Sequence, residues 1–124
     1  MEKAHKKLKV WKEAMELTKT VYMATARLPE NEKYGLLQQM RRAATSVPCN
    51  IAEGAARQGN RDSVQFYIVA RGSLSELDTQ TQICQDLHLL TSDDIERLLS
   101  GIDTADCLLS GIIRYKRKAF SSHV

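Results

Sequence analysis

Cys84 and His88 stand four residues apart, a spacing that on one helix face offers a thiolate and an imidazole to a single zinc ion. A structural zinc site needs further ligands, and the other cysteines are badly placed to supply them. If the chain reverses near residue 91, Cys107 falls beside residue 75, about 14 Å along the helix from Cys84, and Cys49 lies at another level again. A carboxylate-bridged di-iron bundle needs Glu-x-x-His on two helices, and no such pair occurs. His5 and His123 sit near the two ends of the sequence, so no Ser/His/Asp or Cys/His constellation can be assembled, and there is no glycine-rich phosphate loop. Cys49, Cys84 and Cys107 are odd in number, widely spaced and set among apolar residues, which predicts reduced core thiols. The expectation is a protein with no metal, no cofactor, no small-molecule substrate and no catalytic residues, and so not an enzyme.

The chemistry that remains is electrostatic and hydrogen-bonding. Formal net charge is only +3, but the charges are segregated. The first twelve residues carry five lysines against Glu2, with Lys6, Lys7, Lys9 and Lys12 among them. Arg57 and Arg61 form a second basic block, and Arg114, Lys116, Arg117 and Lys118 a third, interleaved with Tyr115 and followed by Phe120. Residues 62–106 hold nine acids against Arg71 and Arg97. A separate polar series, Gln39, Arg42, Ser46, Asn50, Glu53 and Arg57, recurs at spacings of three and four, a continuous stripe on one helix face. It reads as a solvated surface, a subunit contact or a polar network. Ala70, Gly72, Ser73 and Ser75 add small residues that would let another helix approach, and Gly72, which weakens a helix by about 1 kcal/mol relative to alanine, calls for a packing reason.

The elements that must position these groups are helical. The 124 residues make one domain with a single core, 43% hydrophobic and 27% charged, with 6% aromatic residues and little strand punctuation. Val10, Ala14, Leu17, Val21, Ala24 and Leu28 stripe a first helix at about 6–27, and Leu36, Leu37, Met40, Ala43, Ala44, Val47, Ile51 and Ala55 a second at about 32–57. Pro48 falls inside the second stripe and is expected to kink that helix or split it in two. Val64, Tyr67, Ile68, Leu74, Leu77, Cys84 and Leu87 stripe a third helix at about 61–89. Thr91–Asp94 has the form of a capping box, opening a fourth helix at about 92–118 along Ile95, Leu98, Leu99, Ile102, Ala105, Leu109 and Ile112. Short connections make consecutive helices antiparallel, so the predicted fold is an all-α, up-down-up-down four-helix bundle. No stretch is apolar enough for a membrane span and no apolar signal core follows the first lysines, which gives a cytoplasmic protein with no membrane partner as the expectation.

That topology brings the start of helix 1, the end of helix 2, the start of helix 3 and the end of helix 4 to one end. Lys6, Lys7, Lys9, Lys12, Arg57, Arg61, Arg114, Lys116, Arg117 and Lys118 then form a positive pole, with Asp86, Asp93, Asp94 and Glu96 at the opposite end. Helix dipoles account for the charges of helix 4, but lysines at the start of helix 1 oppose its dipole. Solubility or an anionic partner is left to explain them. Tyr115 and Phe120 serve either base stacking or closure of the bundle end.

The polar stripe stands within a longer pattern. LKVWKEAMEL, EKYGLLQQMRRAATSVPCNIAEGAAR and FYIVARGSLSEL together resemble the four-helix bundle family known as 23S rRNA intervening sequence proteins. Trp11, Gly35, Arg41, Arg42, Ser46, Asn50, Glu53, Gly54, Arg57, Gly72, Ser73 and Glu76 carry the likeness, with NIAEG and its RRAA lead-in its most specific part; Val47 and Cys49 are mild departures. The resemblance implies a bacterial up-down bundle that forms a ring-like homopentamer, similar to the accessory variability proteins of diversity-generating retroelements, which assist a reverse transcriptase and bind nucleic acid. It brings no catalytic residues. The leading expectation is a non-catalytic homo-oligomer that binds structured RNA, or a nucleic-acid-processing or ribonucleoprotein partner, through the basic pole. In that reading Gln39, Arg42, Ser46, Asn50, Glu53, Gly72, Ser73 and Glu76 build the oligomer interface or a polar network. The alternative is a protein-interaction scaffold whose basic pole only keeps it in solution.

Overall fold

The computed structural model describes residues 3–121, so the sequence reading of His123 lies outside the described residues. A 3₁₀ turn at Ala4–Lys7 precedes α1 (Lys9–Thr25), and another at Glu30–Glu32 leads into α2 (Leu36–Ala56), followed by α3 (Asn60–Asp86) and α4 (Ser92–Ser121). No strand occurs among the described residues. The first helix therefore starts later than its apolar stripe suggests. Leu8 is extended, with φ −76° and ψ 129°, and separates the lysine-rich turn from α1. The third helix stops earlier than expected. His88 adopts φ 55°, the Leu89 N–H reaches back to the Cys84 carbonyl at 2.9 Å, and the His88 N–H bonds Gln85 at 3.2 Å. This closure normally falls to glycine, because a side chain disfavours the left-handed region.

Each helix buries one stripe, and the stripes meet in one core: Val10, Ala14, Leu17 and Val21 from α1, Met40, Ala44, Val47 and Ile51 from α2, Val64, Tyr67, Leu74 and Leu77 from α3, and Leu98, Ile102, Ala105 and Leu109 from α4. Leu87 does not join them; it stands beyond the end of α3 and is exposed. Contacts between neighbours run in antiparallel order. Arg41 of α2 bonds Thr25 and Tyr22 of α1, Ser73 of α3 bonds Ser46 of α2, Lys116 of α4 bonds Asn60 of α3, and Arg27, just after α1, pairs with Asp94 in the first turn of α4.

Helix α2 runs through Pro48 as one element rather than two. Proline has no N–H for the carbonyl four residues back, here that of Ala44. The Thr18 hydroxyl of α1 lies 3.3 Å from that carbonyl while it also donates to Ala14 at 2.8 Å, so the gap in the ladder is covered from the neighbouring helix. Beyond Pro48, α2 and α3 come very close. A side chain at Gly54 would stand 2.6 Å from Cε1 of Tyr67 and 3.1 Å from the Ser63 carbonyl, and the Ser63 hydroxyl donates to the Gly54 carbonyl at 2.7 Å.

Candidate functional site

The cysteines offer little chemistry. Cys84 is buried beside Met40, with the sulfurs 3.7 Å apart, and burial, reinforced by Glu32, pushes its thiol pKa up and away from a reactive thiolate. Cys49 and Cys107 are exposed free thiols, not core residues as their apolar neighbours suggested, because both fall on outward positions of their helices. His88 stands outside α3 on the left-handed turn, so it and Cys84 do not share a helix face. Among the described residues no group of three or more His, Cys, Asp or Glu is arranged to hold a metal ion, and no helix is long and apolar enough to cross a membrane.

The cations are placed by the helix ends. Ala4 and Leu8 before α1, Ala55 at the end of α2, Tyr67 of α3, and Ile112, Tyr115 and Lys116 of α4 enclose one hollow of about 270 Å³. Lys6 and Lys7 lie on the exposed turn between Ala4 and Leu8, and Lys9 and Lys12 are exposed on the first turn of α1. Arg57, just past α2, lies 4.6 Å over the Phe66 ring and pairs with Glu53 at 3.2 Å. Arg61 lies 4.9 Å over Phe120, which is half-buried against the core and so helps close the bundle end. Tyr115 is 75% exposed, leaving its ring free to stack. Lys116 donates to Asn60 at 3.1 Å.

Not all ten cations face the same way. Arg114, Arg117 and Lys118 line a separate groove of about 440 Å³ between α3 and α4, together with Arg71, Ser110 and Ile113. Lys9 borders a shallow groove with Asp103 and Cys107. Arg71 was not distinguishable by composition, since it stands in an acidic stretch. Its signal was the register: a reversal near residue 91 sets position 71 against 110–111, one turn from Arg114.

At the other end the acids are partly consumed by structure. Asp94 is 4% exposed and is held bidentate by Arg27, at 2.7 and 3.1 Å, while its N–H is capped by the Thr91 hydroxyl at 3.1 Å. The hydrogen bonds from Arg27 outweigh burial and hold the Asp94 carboxyl below its ordinary range. Asp93 pairs with Arg97 within α4.

The stripe on α2 resolves into parts. Gln39 and Arg42 are exposed. Asn50 donates to the Ser46 carbonyl and hydroxyl at 2.8 and 3.0 Å, and Ser73 reaches the same hydroxyl from α3 at 2.8 Å, a small network across the seam. Glu76 accepts from Gln80 at 3.4 Å, and the Gln80 Oε1 is buried without a partner among the described residues. Gly72 is exposed and a side chain there would meet no atom within 4 Å, so packing within the chain does not account for it.

Four helices, with no strand among the described residues, define the chain as an all-α helical bundle. Residues 6–111 match the 23S rRNA-intervening sequence protein family, and the chain belongs to that family. Among solved structures it is similar to a protein of unknown function from the S23 ribosomal protein family of Bacteroides thetaiotaomicron VPI-5482, with 20% identity over 85% of this chain and 95% of that one and a TM-score of 0.77. At that identity the likeness is one of fold. No match is found among curated proteins.

Proposed function

We propose that this chain is a non-catalytic, homo-oligomeric bundle that binds structured RNA, or a ribonucleoprotein, through its cationic end. The observation that carries the reading is the meeting of four chain segments around one hollow, with Lys116 in its wall and exposed Lys6 and Lys7 on the turn between two of its lining residues, Ala4 and Leu8. Lys9 and Lys12 stand in the first turn of α1, where a helix dipole disfavours them, and Lys6, Lys7, Lys9 and Lys12 make no ion pair among the described residues. Phosphate contacts would dominate such binding, so affinity falls steeply with salt and shows little sequence preference. Replacing Lys6, Lys7, Lys9 and Lys12 by glutamine should flatten the salt dependence measured by fluorescence anisotropy with a labelled structured RNA. An unchanged slope would reject these lysines as the site. A homopentamer in the cytoplasm is part of the same proposal.

A second reading, a protein-interaction scaffold, is favoured by the α2–α3 face. There Gly72 is open, Val69 is 52% exposed and the Gln80 Oε1 is orphaned. In this reading Gln39, Arg42, Ser46, Asn50, Glu53, Gly72, Ser73 and Glu76 border a subunit contact. Asn50→Ala with Glu53→Ala then lowers the mass measured by light scattering; an unchanged mass removes these positions from the interface.

A further inference from the structure

The α3–α4 groove gathers Arg71, Arg114, Arg117 and Lys118 without a carboxylate in its lining. None of the four makes an ion pair among the described residues. Cations in a last helical turn offset its free carbonyls, which accounts for Lys118. That effect fades within a turn and reaches neither Arg114 nor Arg71, which stands in the middle of α3. Like charges three and four residues apart, as at Arg114, Arg117 and Lys118, work against a helix. Neither the helix dipole nor side-chain pairing along the helix gives the fold a reason for Arg71, Arg114 and Arg117, which points to a use outside the chain.

We propose that the groove seats the phosphodiester backbone of a nucleic acid, with Arg71 and Arg114 contacting it from opposite walls. This rests on the RNA-binding reading above and extends the basic surface to Arg71. Guanidinium groups suit the role because their planar fork matches phosphate oxygens in pairs. Ser110, Arg114 and Arg117 recur along one face of α4 over Ile113, which is 2% exposed and floors the groove, and the Ser110 hydroxyl adds a neutral donor. From Ser110 to Lys118 the helix rises about 12 Å. That length admits a short run of consecutive phosphates of one strand.

The next stretch of the same seam sets the limit. There Asp78, Asp103 and Asp106 line a hollow of about 310 Å³ with Ser75 and Thr79, and their charges repel a polyanion. The bound strand therefore occupies the cationic half and leaves the seam before Ser75.

The test titrates the full chain into a labelled RNA hairpin at several salt concentrations, for the wild type, Arg71→Gln, Arg114→Gln and the control Arg97→Gln. Circular dichroism and light scattering are recorded on the same samples. Losing one phosphate contact lowers the log–log salt slope by about 0.9, which weakens binding about eightfold at ~0.1 M salt relative to a 1 M reference. Arg71→Gln and Arg114→Gln should each show this, and Arg97→Gln should not. If the wild type binds and both groove variants keep its slope, the groove is overturned while the RNA-binding reading stands. If the wild type itself fails to bind at low salt, both fall together. If Arg71→Gln alters the oligomeric mass and leaves RNA affinity untouched, the groove receives the carboxylates of a second copy and the proposal is overturned.

Discussion

Gly54→Ala should destabilise the bundle even though alanine is the better helix former. By propensity alone the change gains up to about 1 kcal/mol. The added methyl would lie 2.6 Å from Cε1 and 3.0 Å from Cδ1 of Tyr67, and 3.1 Å from the Ser63 carbonyl. Tyr67 is 1% exposed and has no room to swing, and the Ser63 oxygen is backbone. Relief must come from moving α2 away from α3, which stretches the buried 2.7 Å bond from Ser63 to the Gly54 carbonyl. Overpacking costs about 1–3 kcal/mol and the lost bond about 1 kcal/mol more, leaving a net loss of about 1–3 kcal/mol. At roughly 4 °C per kcal/mol for a domain of this size, Tm falls by about 4–12 °C. The assay is thermal and urea denaturation by circular dichroism at fixed protein concentration, with Gly72→Ala as its twin. No atom lies within 4 Å of a side chain at Gly72, so that variant should gain up to the full helical preference, about 1 kcal/mol. A Gly54→Ala protein as stable as the wild type would refute the close approach of α2 and α3.

Three further predictions concern the contacts and turns that hold the bundle together. Asp94→Asn should destabilise the protein at neutral pH, and the difference should shrink as the pH drops through the carboxylate range. The reason is that a depressed folded-state pKa gives stability above the unfolded value near ~3.9 and loses it as the folded group protonates. A deficit as large at about pH 2 as at neutrality would count against the Arg27–Asp94 pair. Thr18→Val keeps the shape but removes the hydroxyl beside the Ala44 carbonyl, and urea denaturation should show a loss of about 1 kcal/mol. No loss would mean the proline gap needs no cover. His88→Gly relieves the positive φ after α3 and should add about 0.5–1 kcal/mol in the same assay; a destabilised variant would show that the histidine side chain has a contact of its own.

The helices were legible because their stripes are long and regular: the α1 residues Val10, Ala14, Leu17, Val21 and Ala24 form one unbroken series, and all are buried. The details that escaped depend on neighbours distant in sequence. Pro48 announces a missing hydrogen bond, yet only the packing of α1 supplies Thr18 to it. Thr91 and Asp94 announce a cap, but the Asp94 carboxylate is taken by Arg27, which no local pattern links to it. Cys49 and Cys107 sit among apolar letters and still point outward, because helical position rather than sequence neighbourhood sets burial. Within the chain the close approach of α2 and α3 falls at Gly54, whereas a side chain at Gly72 would meet no atom within 4 Å, a distinction only the packing of distant residues makes. For the site, charge blocks revealed which segments are basic, while their division between the end hollow and the α3–α4 groove required side-chain placement.

We propose that the cationic end binds nucleic acid. The most direct test is the anisotropy of a labelled structured RNA titrated with the wild-type protein across several salt concentrations, with oligomeric mass recorded on the same samples. Submicromolar binding at low salt that weakens linearly on a log–log salt plot is the expected result. A folded, assembled protein that leaves the RNA free at low salt would contradict it.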